Sequence, residues 1–94
     1  MIVVRNSFIA KPGCASKLAK MLKEATAISK MSKPRVMTDV TGEFNSVVME
    51  YEVESIGELE AQMKEYMTNE KLREKMVGYT DLWVTGKREV FQIV

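Results

Sequence analysis

The segment from Glu43 to Glu54 constrains the fold more than any other, and it reads EFNSVVMEYEVE. Its apolar set comprises Val47, Met49, Tyr51 and Val53, and the alternate positions hold Ser46, Val48, Glu50 and Glu52. Successive side chains of a strand point to opposite faces, so this pattern predicts a β-strand with one apolar and one more polar face. We expect an inner strand with helices on the apolar face. The polar face then meets water, a ligand or another subunit.

The chain has the length and composition of one small globular domain, residues 1–94. Hydrophobic residues make up 46% and charged residues 29%, as in ordinary soluble domains. A core of this size is modest, and dimerisation would add to its stability. We find no apolar run that could span a bilayer and no signal-peptide pattern, and the single cysteine, Cys14, fits a reducing compartment. We therefore expect a cytoplasmic protein with no membrane contact.

Turn and capping residues divide the rest of the chain into further elements. The pattern predicts a strand over Met1–Ile9, a helix from Cys14 to about Lys30, a strand over Arg35–Val40, a helical segment from Ser55 to about Val84, and a strand over Lys87–Val94. The resulting order is that of the ferredoxin-like βαββαβ fold. It belongs to the α+β class and has a four-stranded antiparallel sheet with helices on one face.

Local signals mark where these elements end. Ser55 with Glu58 three residues later forms a capping box, and Asn69 can cap a further helix. The connection Thr41-Gly42-Glu43 predicts a tight hairpin between the second and central strands. Gly86 suits the left-handed residue that follows a helix C-terminus.

The element order, together with a first strand that runs into Lys11-Pro12-Gly13, resembles the dimeric α+β-barrel superfamily. The chain is most similar to NIPSNAP-like and antibiotic-biosynthesis monooxygenase-like proteins. NIPSNAP-like domains usually carry an arginine and a tyrosine on the first strand, where this chain has Asn6 and Phe8. The resemblance implies a homodimer that joins the open sheet faces of two protomers around a lumen, and a small-molecule ligand in that lumen.

The haem-degrading branch of the superfamily relies on a first-strand asparagine, a tryptophan on the second helix and a haem-ligating histidine. Asn6 matches the asparagine, whereas Tyr66 and Met76 stand at the two helical positions. The chain contains no histidine, so the iron ligand of that branch is missing. We therefore expect no cofactor and no histidine-based metal site.

The residues predicted to form a site are Glu50 and Asn6 as catalytic candidates, with Phe8, Tyr66 and Met76 as further substrate-binding candidates. Desolvation in a lumen would raise the pKa of Glu50 and suit a general base. Alternatively, Glu50 pairs with Arg5 or with a basic side chain of the partner, or it reaches solvent at the rim. Asn6 is either a ligand donor or a satisfied buried amide. Cys14, at a predicted helix N-terminus, is either a nucleophile or inert.

These residues support two functional hypotheses. The first is an enzyme or binding protein of NIPSNAP or monooxygenase-like type, whose most concrete form is cofactor-independent chemistry on a carbonyl or phenolic substrate. The alternative is a non-catalytic interaction or regulatory domain with a closed dimer interface. RNA-recognition domains share the element order but need aromatic residues where this chain has an acidic central strand, so we expect no nucleic-acid partner.

Overall fold

The computed structural model describes all 94 residues and shows one antiparallel four-stranded sheet with helices on one face. The elements are β1 (Ile2–Ala10), α1 (Ala15–Ser29), β2 (Ser32–Thr38), β3 (Ser46–Val53), α2 (Ile56–Thr68), α3 (Glu70–Lys75), a 3-10 turn (Tyr79–Leu82) and β4 (Trp83–Gln92). The strand order is β2-β3-β1-β4. The predicted α+β, ferredoxin-like architecture is confirmed.

The central strand and the local caps follow the sequence pattern. β3 is an inner strand, and its apolar set Val47, Met49, Tyr51 and Val53 is buried. Ser55 Oγ accepts a hydrogen bond from the Glu58 amide at 3.2 Å, and Asn69 Oδ1 accepts one from the Leu72 amide at 3.1 Å. These side chains satisfy amides that a helix N-terminus would otherwise leave without partners. Both predicted N-caps are confirmed. The Glu58 carboxylate, however, accepts its hydrogen bond from the Glu54 amide at 2.6 Å and not from the Ser55 amide, so the reciprocal bond of a capping box is not formed.

The C-terminal part of the helical segment differs from the prediction. Helix α3 ends at Lys75, and Gly78 adopts a left-handed φ of 82° that turns the chain toward β4. The recurrence of Tyr79 and Trp83 reflects an aromatic cluster around Phe8 and not a continuing helix. The extension to Val84 was therefore wrong.

Gly86 lies inside β4, so its predicted role as a helix cap was also wrong. It pairs with Phe8 in the neighbouring strand, and a Cβ at Gly86 would meet the Phe8 ring at 3.0 Å. The glycine therefore allows the Phe8 ring to approach the backbone of β4 closely, and a side chain at this position would push the ring away by a few tenths of an ångström.

The second strand begins earlier than predicted, and its connection to β3 is longer. β2 spans Ser32–Thr38, and residues 39–45 form the connection in place of the three-residue hairpin. The Asp39 carboxylate accepts a hydrogen bond from the Ser46 amide at 3.0 Å, and Asn45 takes a left-handed φ of 63°. A bulge between Ser32 and Arg35 bends the start of β2. A bulge shifts register in a way that alternation alone does not reveal.

The helices cover one face of the sheet and leave the other without any covering element. The covered face, which we call the helix face, carries the core cluster; Val4, Val47, Leu18 and Leu22 are among its most buried members. Residues paired directly across antiparallel strands share a face, so the register defines the opposite, open face. Its side chains are Val3, Arg5, Ser7 and Ile9 of β1, Ser46, Val48, Glu50 and Glu52 of β3, Arg35 and Met37 of β2, and Thr85, Lys87, Glu89 and Phe91 of β4. None of the helices combines the length and apolar character needed to cross a membrane.

Candidate functional site

The register separates the five predicted site residues into two groups. Glu50 pairs with Arg5 on the open face, whereas Asn6 pairs with Met49 and Phe8 pairs with Val47 on the helix face. Tyr66 belongs to α2 and Met76 follows α3, so both also lie on the helix side. A single site that contains both Glu50 and Asn6 is therefore not formed within one protomer. The two catalytic candidates lie on opposite sides of the sheet.

Glu50 is the centre of an ion cluster on the open face. Its Oε2 accepts a hydrogen bond from Arg5 Nε at 2.6 Å. Its Oε1 accepts two from Arg35, from Nε at 2.9 Å and Nη2 at 2.6 Å. The two arginine side chains leave Glu50 only 4% exposed, although no helix covers it. Charge-assisted bonds of this length are among the stronger polar contacts in proteins.

The ion cluster overturns the expectation that the pKa of Glu50 is raised. The hydrogen bond from Arg35 is the largest influence and lowers the pKa; desolvation raises it, but the hydrogen bond from Arg5 and the charges of both arginines outweigh that effect. Glu50 therefore stays ionised, and a carboxylate held by two arginines is a weak proton acceptor. The alternative interpretation, pairing with Arg5, describes what the structure shows.

Arg5 is fixed by a second contact besides Glu50. The Phe91 ring stacks against its guanidinium, with 5.1 Å between Cζ and the ring centroid. Nε carries the only hydrogen bond from Arg5 to a protein side chain, so both terminal nitrogens remain available. The side chain is 40% exposed on the open face. Arg5 thus presents an oriented pair of donors on the open face.

The start of β2 brings a further charge to the same region. Lys33, within the bulge, adopts a left-handed φ of 47°, which is unfavourable for a residue with a Cβ. Its Nζ lies 3.8 Å from Glu52. The bulge therefore aims a lysine at the open face beside the Glu50 cluster.

Two concave cavities lie on the open face. The larger, of about 440 Å³, is lined at one end of the sheet by Ser7, Ser46 and Thr85, among other residues. The smaller, of about 320 Å³, lies beside the ion cluster and is lined by Val3, Arg35 and Glu50, among others. Small side chains leave the first cavity open, and the bulged start of β2 borders the second.

On the helix face, Asn6 of β1 makes a polar contact with a residue of the neighbouring strand β4. Its Oδ1 accepts a hydrogen bond from Arg88 Nε at 2.8 Å, and Asn6 itself is 7% exposed. Arg88 also approaches Met63 of α2, with 3.4 Å between Nη1 and Sδ. The amide oxygen of Asn6 thus has a protein partner, which is consistent with the buried-amide role considered for it.

Phe8, Tyr79 and Trp83 form an aromatic cluster beside Asn6 on the helix face. Their ring centroids lie 5.4–6.5 Å apart in tilted or edge-on arrangements, which aromatic pairs favour. Trp83 Nε1 is buried without a hydrogen-bond partner, which is uncommon for an indole. Phe8 is therefore part of a packed aromatic cluster.

The two remaining candidates differ in exposure. Tyr66 is 37% exposed; burial raises the pKa of its phenol, and the neighbouring Tyr79 raises it further. Met76 is 7% exposed and belongs to the core. Tyr66 is accessible to a ligand on the helix side, whereas Met76 serves packing.

The remaining reactive groups form no further site. Cys14 is half-buried at the N-cap of α1, and its thiol makes no capping hydrogen bond. No cluster of three or more His, Cys, Asp or Glu side chains is placed to hold a metal ion.

Sequence reasoning missed Arg35, Arg88 and Phe91. The alternation of β4 could have assigned two of them to a face of the sheet: Arg88 lies on the same face as Asn6, and Phe91 lies on the same face as Arg5. Arg35 gave no such signal because the bulge before it sets its register. These three residues contact the predicted site: Arg35 binds Glu50, Arg88 binds Asn6, and Phe91 stacks on Arg5.

Comparison with solved structures assigns the fold to a known class. Structures that match nearly the whole chain include an uncharacterised NIPSNAP domain protein from Burkholderia xenovorans (14% identity, 100% of this chain and 95% of that chain, TM-score 0.84) and a NIPSNAP family protein from Agrobacterium tumefaciens (10% identity, 99% and 92%, TM-score 0.86). An antibiotic biosynthesis monooxygenase also matches (12% identity, 100% and 99%, TM-score 0.76). No protein-family model and no curated protein matches the sequence.

The chain thus has the fold that NIPSNAP family proteins share with antibiotic biosynthesis monooxygenase. The resemblance inferred from element order and from Lys11-Pro12-Gly13 is confirmed at the level of the fold. At 10–14% identity the likeness extends to architecture and not to chemistry.

Proposed function

We propose that this protein is a homodimer that binds a small organic molecule in a lumen enclosed between the open faces of two protomers. The observation that supports it best is that both cavities, of about 440 and 320 Å³, lie on the face that no helix covers. Small-molecule sites are usually concave and carry polar groups that fix the orientation of the ligand, and the lining of both cavities supplies such groups.

The composition of the open face favours a lumen over an interface that is packed shut. Glu50 and its two arginines lie near its centre, and covering charges with apolar partner residues carries a desolvation penalty. Ser7 and Ser46 leave space beside them. Phe91 and Met37 remain 42% and 37% exposed in the single chain and would gain from a partner. This mixture suits a covered but hydrated cavity, and it weighs against the non-catalytic alternative with a closed interface.

The ionisation of Glu50 favours binding over acid–base catalysis. A general base acts best when its pKa lies near the working pH, whereas two arginines hold that of Glu50 below its ordinary value. Asn6, the other catalytic candidate, is occupied by Arg88 on the far side of the sheet. A binding protein is therefore the simplest function consistent with this geometry.

The first test is native mass spectrometry of the purified protein, compared with its denatured mass. We expect a dimer that carries a non-covalent small molecule, whose mass appears as the difference. A strict monomer would overturn the proposal, and a dimer that never retains or accepts a small molecule would favour the closed interface.

A matched pair of substitutions locates the bound molecule. Ser7→Trp places a large ring in the larger open-face cavity, and we expect it to abolish the small-molecule mass difference. Ser16→Trp makes the same change at an exposed position of α1 and should leave that difference intact. Retention of the ligand by both variants would exclude the larger cavity as the binding site.

The aromatic cluster of the helix face is a second candidate location, favoured by the unpartnered Trp83 Nε1 and the accessible Tyr66. Trp83 is the only tryptophan, so its fluorescence reports on this face alone. A ligand in the lumen should leave the emission of Trp83 nearly unchanged, whereas a ligand stacked on the cluster should quench or shift it.

A further inference from the structure

The geometry points to a carboxylate subsite at Arg5, where the two terminal guanidinium nitrogens bind the carboxylate of a small organic acid. This inference rests on the proposed function, since it specifies the class of molecule that the lumen accepts. Arg5 lies on β1 between Ser7, which lines the larger cavity, and Val3, which lines the smaller one, so a molecule held at Arg5 adjoins both cavities.

The orientation of Arg5 is set before any ligand arrives. Glu50 accepts from Nε at 2.6 Å, and the Phe91 ring lies against the guanidinium at 5.1 Å. One edge and one flat side of the guanidinium are therefore occupied, and the edge that carries the two terminal nitrogens is not. This edge matches a carboxylate with two parallel hydrogen bonds. A side chain that is already held in place loses less conformational entropy on binding.

The charge of the ion cluster leaves room for one anion per protomer. On the strands of the open face the cations are Lys33, Arg5, Arg35 and Lys87, and the carboxylates are Glu50, Glu52 and Glu89; Glu43, in the connection between β2 and β3, lines the larger cavity away from the cluster. Glu52 faces Lys33 at 3.8 Å and Glu89 faces Lys87 at 3.7 Å, while Glu50 alone faces two arginines. The excess of one positive charge therefore resides in the Arg5–Glu50–Arg35 cluster. Enclosing that charge in a lumen is costly unless an anion accompanies it.

The surroundings select a monoanion with an apolar body. Glu50, Glu52 and Glu89 would repel the second charge of a phosphate monoester, whereas a carboxylate carries only one. Next to Arg5 the open face offers Val3 and Phe91, which pair across β1 and β4. The expected ligand is therefore an aromatic or short aliphatic carboxylic acid whose apolar part lies on these two side chains.

The test compares benzoate with its neutral analogue benzamide, followed through the backbone amide shifts of the native protein. We expect benzoate to shift amides of β1 and β3 around Arg5 with a dissociation constant of about 1 mM or tighter, a range typical of a ligand this small. Benzamide has the same ring without the charge and should bind at least tenfold more weakly.

Two variants and a matched control assign the contact. Arg5→Gln should weaken benzoate binding at least tenfold, and Arg5→Lys, which keeps the charge but not the paired donors, should weaken it several-fold. Arg73→Gln removes an exposed arginine of α3 on the helix side and should leave binding unchanged. Arg35 still pairs with Glu50 in the Arg5 variants, and an unaltered amide spectrum away from β1 shows that they are folded.

The outcomes separate this inference from the proposed function. Equal binding of benzamide and benzoate in a dimer would overturn the carboxylate subsite and leave the lumen in place. Benzoate binding that Arg5→Gln does not weaken would also overturn it, and so would the absence of shifts around Arg5 at high benzoate concentration. A monomer that binds neither compound would overturn both.

Discussion

The two faces of the sheet each hold a buried polar side chain bonded to arginine, but the two sites are built for different purposes. On the helix face, Asn6 meets Arg88 beneath α2, and the rings of Phe8 and Trp83 pack beside them. On the open face, Glu50 meets two arginines with no helix above it. The first arrangement is a neutral acceptor enclosed by its own chain, whereas the second is a charged cluster that still lacks a cover.

This difference teaches where a small protein can place a site. The helix face carries the core cluster, and only 16 of the 94 residues are buried. Polar or small side chains that a binding site needs would therefore reduce an already small core on this face. The open face is free of that role and can carry charges, small side chains and cavities. The helix face should therefore dominate stability, and the open face should dominate association and ligand binding.

The largest expected effect compares one aromatic residue from each face. We expect Trp83→Ala to lower the free energy of unfolding by about 2–3 kcal/mol, because it removes the ring that contacts both Phe8 and Tyr79; the value is below the ~3–5 kcal/mol of a fully buried ring because Trp83 is only half-buried. Phe91→Ala should cost about 1 kcal/mol within the protomer, since Phe91 is 42% exposed.

Urea unfolding at several protein concentrations measures both changes. If the proposed dimer forms, its formation couples to folding, so the loss caused by Phe91→Ala should grow with protein concentration, whereas that of Trp83→Ala should vary less. An equal and concentration-independent cost for both variants would remove the distinction between the faces.

A smaller effect is expected when the charge at the centre of the open face is removed. Glu50→Gln keeps the shape of the side chain but replaces charge-assisted bonds to Arg5 and Arg35 with weaker ones. The two arginine side chains are 40% and 66% exposed, so solvent screens the pair and the expected cost is only about 1 kcal/mol. Glu52→Gln is the control: its contact with Lys33 is 3.8 Å long and exposed, and its loss should change the unfolding free energy by less than about 0.5 kcal/mol.

These contrasts also show how far the sequence predicts the site. Strand alternation placed Glu50 on the polar face and grouped Asn6 with Val4 and Phe8, so the separation of Glu50 from Asn6 was already implied. The error was to combine residues from both groups in one lumen. The caps at Ser55 and Asn69 were predictable because they depend on neighbours a few residues away.

The hydrogen-bond partners of Glu50 and Asn6 could not be predicted from the sequence because they lie on strands that are distant along the chain. Arg35 reaches Glu50 only after the bulge at the start of β2 sets its register. The direction of the pKa shift at Glu50 depends on this contact, so burial alone led to the wrong sign. The path through Gly78 was missed because Tyr79 and Trp83 fit a helical period while packing as an aromatic cluster.

The pH dependence of stability tests the ion cluster without disturbing the helix face. The folded pKa of Glu50 lies below its ordinary value of 4.5, so the unfolded state binds the proton more readily. The stabilisation is therefore complete above about pH 4.5 and is lost as the pH falls through the lower, folded pKa. We expect the difference in unfolding free energy between the wild type and Glu50→Gln to shrink steadily on acidification, as measured by urea unfolding from neutral pH downward. A difference that stays constant, or grows in acid, would show that the two arginines do not hold Glu50 ionised.

The smallest expected effect is that of Tyr66→Phe, which removes one hydroxyl from the accessible side of the helix face. Tyr66 is 37% exposed, so the free energy of unfolding should change by less than about 0.5 kcal/mol. If the ligand occupies the open face, the affinity for benzoate should also be unchanged, since the whole sheet separates Tyr66 from Arg5. Amide-shift titrations of the variant and the wild type measure this directly, with Arg5→Gln as the positive control. A several-fold loss of affinity in Tyr66→Phe would instead place the ligand beside the aromatic cluster, and the functional division between the two faces would have to be reversed.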